Sequence, residues 1–214
     1  CGESENLRVA VTGTRLTPSV KAYITAALER LLGIKIDLQK FYRLSKKDKR
    51  LKPLVSQFQG MKPPRLLTPF EALINAIACQ QLTLTMGIRL LNRLTEAYGM
   101  ALKTEVGIVH AFPRPQDLAN ADIEDLRKMS FSCQKARYLT TISRLIVDGE
   151  LNLDTIAQLD DQEAVTRLCE LKGVGRWTAE YVLLRGLGRT HIFPADDVGA
   201  RNNLHFLDNL FEIL

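Results

Sequence analysis

The chain has few of the residues that build metal sites, covalent staples and membrane spans. Its 214 residues include four cysteines and three histidines. Cys1, Cys79, Cys133 and Cys169 lie far apart and form no C-x-x-C pair. That spacing argues against zinc fingers, disulfide frameworks and compact iron–sulfur motifs, and favours a reducing compartment. His110, His191 and His205 are scattered and lack the spacing of a catalytic zinc site. The apolar runs fall well short of the ~20 residues that cross a bilayer. No charged segment followed by an apolar core opens the chain, so no secretory signal is expected. Location is therefore expected to be cytoplasmic or nucleoid, or nuclear in a eukaryote. A start at Cys1 instead of methionine reads as an incomplete or processed N-terminus. Tryptophan occurs once, at Trp177.

The composition is otherwise that of an ordinary globular protein, 46 % hydrophobic and 25 % charged, with enough length to bury a sizeable core. The net charge is +5 and the pI about 9.1. A basic balance favours polyanionic partners, nucleic acid above all.

Helix signals dominate. "LTPSVKAYITAALERLLG" places Thr17 as N-cap, Pro18 at the first helical position and Gly33 past the end, with Val20, Ile24, Ala27, Leu28 and Leu31 on one face. Leu7, Val9 and Val11 alternate before it and predict a short strand. The basic, turn-rich "KKDKRLKPLVSQFQGMKPPR" ends in Pro63-Pro64, a boundary. "TPFEALINAIACQQ" opens with a capping box from Thr68 to Glu71 around Pro69. The next helix carries Leu84, Ile88, Leu91, Leu94 and Tyr98 as a stripe and stops at Gly99. "DIEDLRKM", "SCQKARYLTTISRLIVDG" and "DDQEAVTRLCEL" each begin with Asp or Ser and keep a helical period. No strand is predicted beyond Pro63.

In "LKGVGRWTA", Gly173 and Gly175 flank Val174 between two helical segments. Glycines allow positive φ and bring backbone N–H groups close to an approaching ligand. The helix that starts there points its free N–H groups and dipole the same way, a nest for a phosphate. An ordinary helix–turn–helix with a glycine cap fits the same spacing. Further on, "HIFPADD" carries two adjacent aspartates, Asp196 and Asp197.

Taken whole, Leu171 to Ala179 followed by the Pro194 loop and Asp197 resembles the helix-hairpin-helix (HhH-GPD) DNA glycosylase superfamily. Its hairpin reads L-x-G-[VI]-G-x-x-T-A and is followed by a Pro-containing loop and a catalytic aspartate. "PFEALINAIACQQLTLTMGIRLLNRLTEAYG" and "SCQKARYLTTISRLI" are similar to its upstream helices, so the likeness covers roughly residues 50–206. The nearest branch is DNA-3-methyladenine glycosylase II, the AlkA-like type. The resemblance implies a mainly α fold, two helical subdomains flanking a cleft, preceded by a short α/β piece. Residues 1–50 would form that partial N-terminal region. Residues 51–214 would form the glycosylase domain, incomplete at its C-terminus because the AlkA-like pattern continues with further pocket helices.

The implied activity is monofunctional hydrolysis of the N-glycosidic bond of alkylated purines, of the 3-methyladenine and 7-methylguanine type, in double-stranded DNA by base flipping. Asp197, directly before "VGAR", matches the catalytic position; Asp196 is expected to cap the next helix or hold the loop. Bifunctional members carry a Schiff-base lysine where this chain has Trp177, and an indole has no nucleophilic amine. Trp177 and Tyr181, one turn apart, match pocket positions that stack on an electron-poor base; the alternative makes both plain core aromatics. Gln81 matches the side chain that fills the vacated stack, and Gln80 is expected to tie down local backbone. Gly173, Val174, Gly175 and Thr178 are implied phosphate contacts. The resemblance also implies a monovalent cation, Na+ or K+, on the carbonyls of Cys169, Leu171 and Val174; no cofactor is otherwise required. A monomer without membrane association is expected. The competing readings are a non-catalytic DNA-binding remnant and, further off, a bifunctional glycosylase/lyase.

Overall fold

The computed structural model describes residues 7–203. Eleven helices lie wholly within them, in the order α1 (Pro18–Leu32), α2 (Gln39–Ser45), α3 (Leu51–Gln57), α4 (Pro69–Cys79), α5 (Leu84–Tyr98), α6 (Pro115–Ala119), α7 (Ile123–Lys128), α8 (Cys133–Val147), α9 (Leu153–Gln158), α10 (Asp161–Cys169) and α11 (Arg176–Tyr181), and residues 198–203 are helical as well. A π-helical stretch, Val182–Leu187, prolongs α11. A two-stranded antiparallel ribbon, β1 (Ala101–Thr104) and β2 (Gly107–His110), is inserted between α5 and α6.

The helix starts follow side-chain capping. The hydroxyls of Thr17, Thr68 and Ser132 and the carboxylates of Asp122 and Asp160 accept backbone N–H groups in the first turns of α1, α4, α8, α7 and α10. Gly33 ends α1 in the left-handed region at φ 60°. The fold centres on α4, where Phe70, Ala72, Leu73, Ile74, Ala76, Ile77 and Ala78 are buried. Leu94, Leu126, Leu139, Ile142, Leu168 and Leu183 close around it. Each such apolar side chain contributes about 1.5–3 kcal/mol through burial.

Five expectations are corrected. Residues 7–11 form no strand: their alternation finds no pairing partner among the described residues, and a lone strand leaves its backbone unsatisfied. The described part of residues 1–50 is helical, not α/β. One short helix, α3, lies within the stretch read as turn-rich, Pro53 being accommodated in its first turn. The ribbon at residues 101–110 was not expected. On α5, the buried face is Gly87, Leu90 and Leu94, while Leu84 and Ile88 are 77 % and 48 % exposed, so the apolar stripe is rotated from its expected position. His205 and the end of the predicted domain lie outside the described residues.

The front of the chain is fastened to the back. The main chain of Leu66 donates to the Arg185 carbonyl at 2.9 Å. Arg30 of α1 donates to the carbonyls of Leu66 and Gly186. A π-wound segment leaves carbonyls free of α-type partners, and these contacts satisfy them. Gly186 sits so close to α4 that a Cβ there would lie 2.9 Å from that of Ala72.

Candidate active site

Residues 171–175 make a tight bend between α10 and α11, closed by Val174 N–H donating to the Leu171 carbonyl at 3.0 Å. The two glycines have different reasons to be there. Gly173 has φ +89°, and a Cβ on it would lie 2.2 Å from the Tyr138 ring. Gly175 has an ordinary φ of −97°, and a Cβ there would meet nothing within 4 Å. Nothing inside the protein demands glycine at 175. The bend therefore offers an open approach to main chain at the head of α11. The N–H groups of Gly173 and Gly175 find no acceptor among the described residues.

Val174 and Thr178 differ from their predicted roles. Val174 is 6 % exposed and its N–H is committed to Leu171. Thr178 is 2 % exposed, and its hydroxyl accepts from the Gln80 amide at 2.9 Å. Its side chain faces inward, away from a phosphate outside. The carbonyls of Cys169, Leu171 and Val174 lie around the same bend. Leu171 uses one lone pair on Val174, leaving its second, and neutral carbonyl oxygens are the donor type that a monovalent cation takes.

Beyond the bend, α11 presents Trp177, Tyr181 and, on the π stretch, Arg185 at four-residue intervals. The Trp177 and Tyr181 ring centroids are 5.5 Å apart, tilted by 36°. The Arg185 guanidinium carbon lies 5.6 Å from the Tyr181 centroid, and its Nε is buried without a partner among the described residues. The Tyr181 hydroxyl donates to Asn75 Oδ1 on α4 at 3.1 Å. Burial pushes that phenol's pKa up, against the opposite pull of the Arg185 cation, so it stays a donor at neutral pH.

Asp197 comes to this face from the loop after the π stretch. Its Oδ2 accepts the Trp177 indole N–H at 3.0 Å, and its Oδ1 accepts Ala200 N–H at 2.8 Å. Asp197 therefore caps the helical turn at residues 198–203. Of the two roles expected of Asp196, capping that helix or holding the loop, it takes the second, pairing with Arg201 at 2.8 Å. The loop's other end is fixed at Asp161, which accepts from Arg189 at 2.7 Å and faces His191 Nε2 at 2.6 Å. Those two contacts hold the Asp161 carboxyl below the usual carboxylate range, His191 contributing most.

Gln81 is exposed and holds φ +56°, a left-handed conformation rare for a non-glycine side chain. Gln80 reaches further than local backbone: its Nε2 donates to the Gly173 carbonyl at 2.8 Å as well as to Thr178. Among the predicted side chains, the structure thus unites Asp197, Trp177 and Tyr181, with Gln81 on the adjoining bend after α4. Asn75 and Lys135 were not anticipated; Arg185 was expected only as a general phosphate attraction, and its place over the Tyr181 ring was visible in advance only as a four-residue spacing. A groove of about 640 Å³ runs along Pro69, Glu71, Phe112, Arg114 and Asn152 and includes none of the predicted site residues.

A glycine bend at a helix head, with an aspartate brought back onto the first turn of that helix, is the arrangement on which the resemblance depended. The family described as HhH-GPD superfamily base excision DNA repair protein matches residues 74–210. The chain belongs to that family. Among HhH-GPD proteins, it is 31 % identical over 174 residues to a DNA-3-methyladenine glycosylase of Bacillus subtilis, covering 81 % of this chain and 57 % of that one. The solved 3-methyladenine DNA glycosylase of Archaeoglobus fulgidus superposes with a TM-score of 0.79 at 28 % identity, over 90 % of this chain and 65 % of that one. The Schizosaccharomyces pombe 3-methyladenine DNA glycosylase in complex with abasic DNA gives 0.65 at 31 % identity, over 78 % and 79 % of the two chains. This HhH-GPD chain spans about half the length of the curated relatives it matches. No helix among the described residues is long and apolar enough to cross a membrane.

Proposed function

We propose that this chain is a monofunctional DNA glycosylase of the 3-methyladenine type, hydrolysing the N-glycosidic bond of alkylated purines in double-stranded DNA. The observation that carries the reading is the 3.0 Å contact between the Trp177 indole and the Asp197 carboxylate. It puts an anion beside an aromatic face, at the position where a lyase would need an amine.

Purines alkylated at N3 or N7 are already cationic and leave readily. The protein must extrude the nucleotide, hold the base and stabilise an oxocarbenium-like sugar. In this reading the base stacks on Trp177 and Tyr181, and the Asp197 carboxylate faces C1′. The C1′–N bond breaks with its electron pair going to the base. Water adds to C1′, oriented by Asp197, and its proton passes by way of the carboxylate to the departing base or to solvent. Gln81 fills the gap left in the stack. The strand is held by the Gly173 and Gly175 N–H groups at the head of α11, with Gly175 giving room for a phosphate. A monovalent cation on the bend carbonyls would steady that main chain. The relatives named for 3-methyladenine glycosylases support the substrate class, and the neighbour bound to abasic DNA supports DNA as partner. A monomer suffices for these steps.

Release of 3-methyladenine from alkylated duplex DNA tests the reading. The wild type releases the base, Asp197→Asn does not while still binding DNA, and borohydride traps no covalent complex. Binding without release by the wild type would make the chain a DNA-binding remnant; a trapped complex would make it a lyase.

A further inference from the structure

Two long-range connections converge on the bend between α4 and α5. From one side, Gln80 Nε2 donates to the Gly173 carbonyl at 2.8 Å and to Thr178 Oγ1 at 2.9 Å. From the other, Lys135 of α8 donates from Nζ to the carbonyls of Gln80 at 2.6 Å and Ala78 at 2.9 Å. Those carbonyls end α4, where the helix has no N–H groups left to satisfy them and its dipole is negative. Lys135 is half-buried, and burial pushes its pKa down. The residue that directly follows these contacts is Gln81, exposed and in the left-handed region. Left to itself, a glutamine at φ +56° relaxes to negative φ. The bend after α4 and the glycine bend before α11 are thus joined through Gln80, and Lys135 locks the joint from behind.

We propose that Lys135 is a positioning residue for base extrusion: with Gln80, it holds the bend that bears Gln81 at a fixed distance from the glycine bend. Strand grip and stack filling then act as one rigid unit. The inference rests on the glycosylase reading above. Without the ammonium, two carbonyls lose their donor, the main chain at Gln81 relaxes, and its side chain no longer enters the stack in register with the held strand. Met at 135 keeps the length of the side chain without the donors; Arg keeps both charge and donors.

The test uses the full chain and a duplex with 2-aminopurine beside a tetrahydrofuran abasic-site analogue, together with single-turnover release of 3-methyladenine from alkylated duplex. Insertion of Gln81 unstacks the 2-aminopurine and raises its fluorescence. Lys135→Met is expected to abolish that rise and slow release about tenfold, the loss of a charged hydrogen bond. Affinity for undamaged duplex stays within about twofold, because the phosphate contacts are elsewhere. Lys135→Arg restores the fluorescence, and Gln80→Ala, which cuts the other half of the joint, loses it. Thermal melts restrict the comparison to folded protein, since a merely structural lysine would lower the melting temperature and leave the fluorescence of folded protein unchanged. An undiminished rise in folded Lys135→Met, or in folded Gln80→Ala if the methionine variant does not fold, overturns the proposal. A wild type that unstacks the 2-aminopurine but releases no base overturns only the enzyme reading, while one that does neither overturns both.

Discussion

Trp177 donates its indole N–H to Asp197 Oδ2 at 3.0 Å, while Ala200 N–H occupies Oδ1 at 2.8 Å. The carboxylate is thereby fixed by one bond from the helix after the glycine bend and one from the turn it caps. An anion fixed in this way costs little reorganisation when positive charge develops beside it.

Asp197→Asn keeps the volume and one acceptor oxygen, and asparagine caps helices about as well as aspartate. The expected outcome is a folded protein, less stable by about 1 kcal/mol at most. Base release from alkylated duplex should fall by about a hundredfold or more. Parallel thermal melts and release assays check both halves.

Trp177→Phe keeps an aromatic face and removes the N–H. Asp197 then loses the bond that aims Oδ2, and single-turnover release should slow about tenfold with less change in DNA affinity. An unchanged rate would mean that the indole contributes only its ring.

The two glycines of the bend should separate stability from binding. Gly173→Ala drives a methyl into the Tyr138 ring at a positive φ and should destabilise by about 2 kcal/mol or more. Gly175→Ala meets open space, so stability should stay within about 0.5 kcal/mol, while affinity for duplex DNA drops. Denaturant melts beside fluorescence-anisotropy titrations distinguish the two.

Acid should loosen the anchored loop. The Asp161 carboxyl titrates below its ordinary value because His191 and Arg189 hold the ionised form. Its contribution is fully present above the unfolded-state carboxylate pKa and is lost as pH falls through the lower folded-state value. Asp161→Asn should therefore be destabilising at neutral pH, with the difference from wild type vanishing toward the acid end of a pH series of melts.

Much of this was legible in the chain because it is local. The caps at Thr17, Thr68, Ser132 and Asp160 act within three residues, and Gly33 ends its helix where sterics require. The ribbon escaped notice because Leu102, Val106 and Ile108 are exposed and so show no alternation against a core. Its Glu105-Val106 turn also lacks a glycine or asparagine signal at the tip. Leu7, Val9 and Val11 mislead for the opposite reason, a clean alternation with nothing to pair among the described residues. At the site, the register from the glycine bend to Asp197 made the acid visible. The bond from Tyr181 to Asn75 spans 106 residues and that from Gln80 to Gly173 spans 93. Such pairs exist only once α4 lies against α11, and no spacing rule announces them.

The π winding at Val182–Leu187 governs how much the length of this part of the chain can change. A π turn already takes up one residue more than an α turn, so one further residue inserted there would rotate everything downstream by about 100°. The aspartate would swing off the indole although neither residue had been altered. Surface loops elsewhere can lengthen or shorten at small cost, but these six residues act as a spacer whose count sets the aim of the acid.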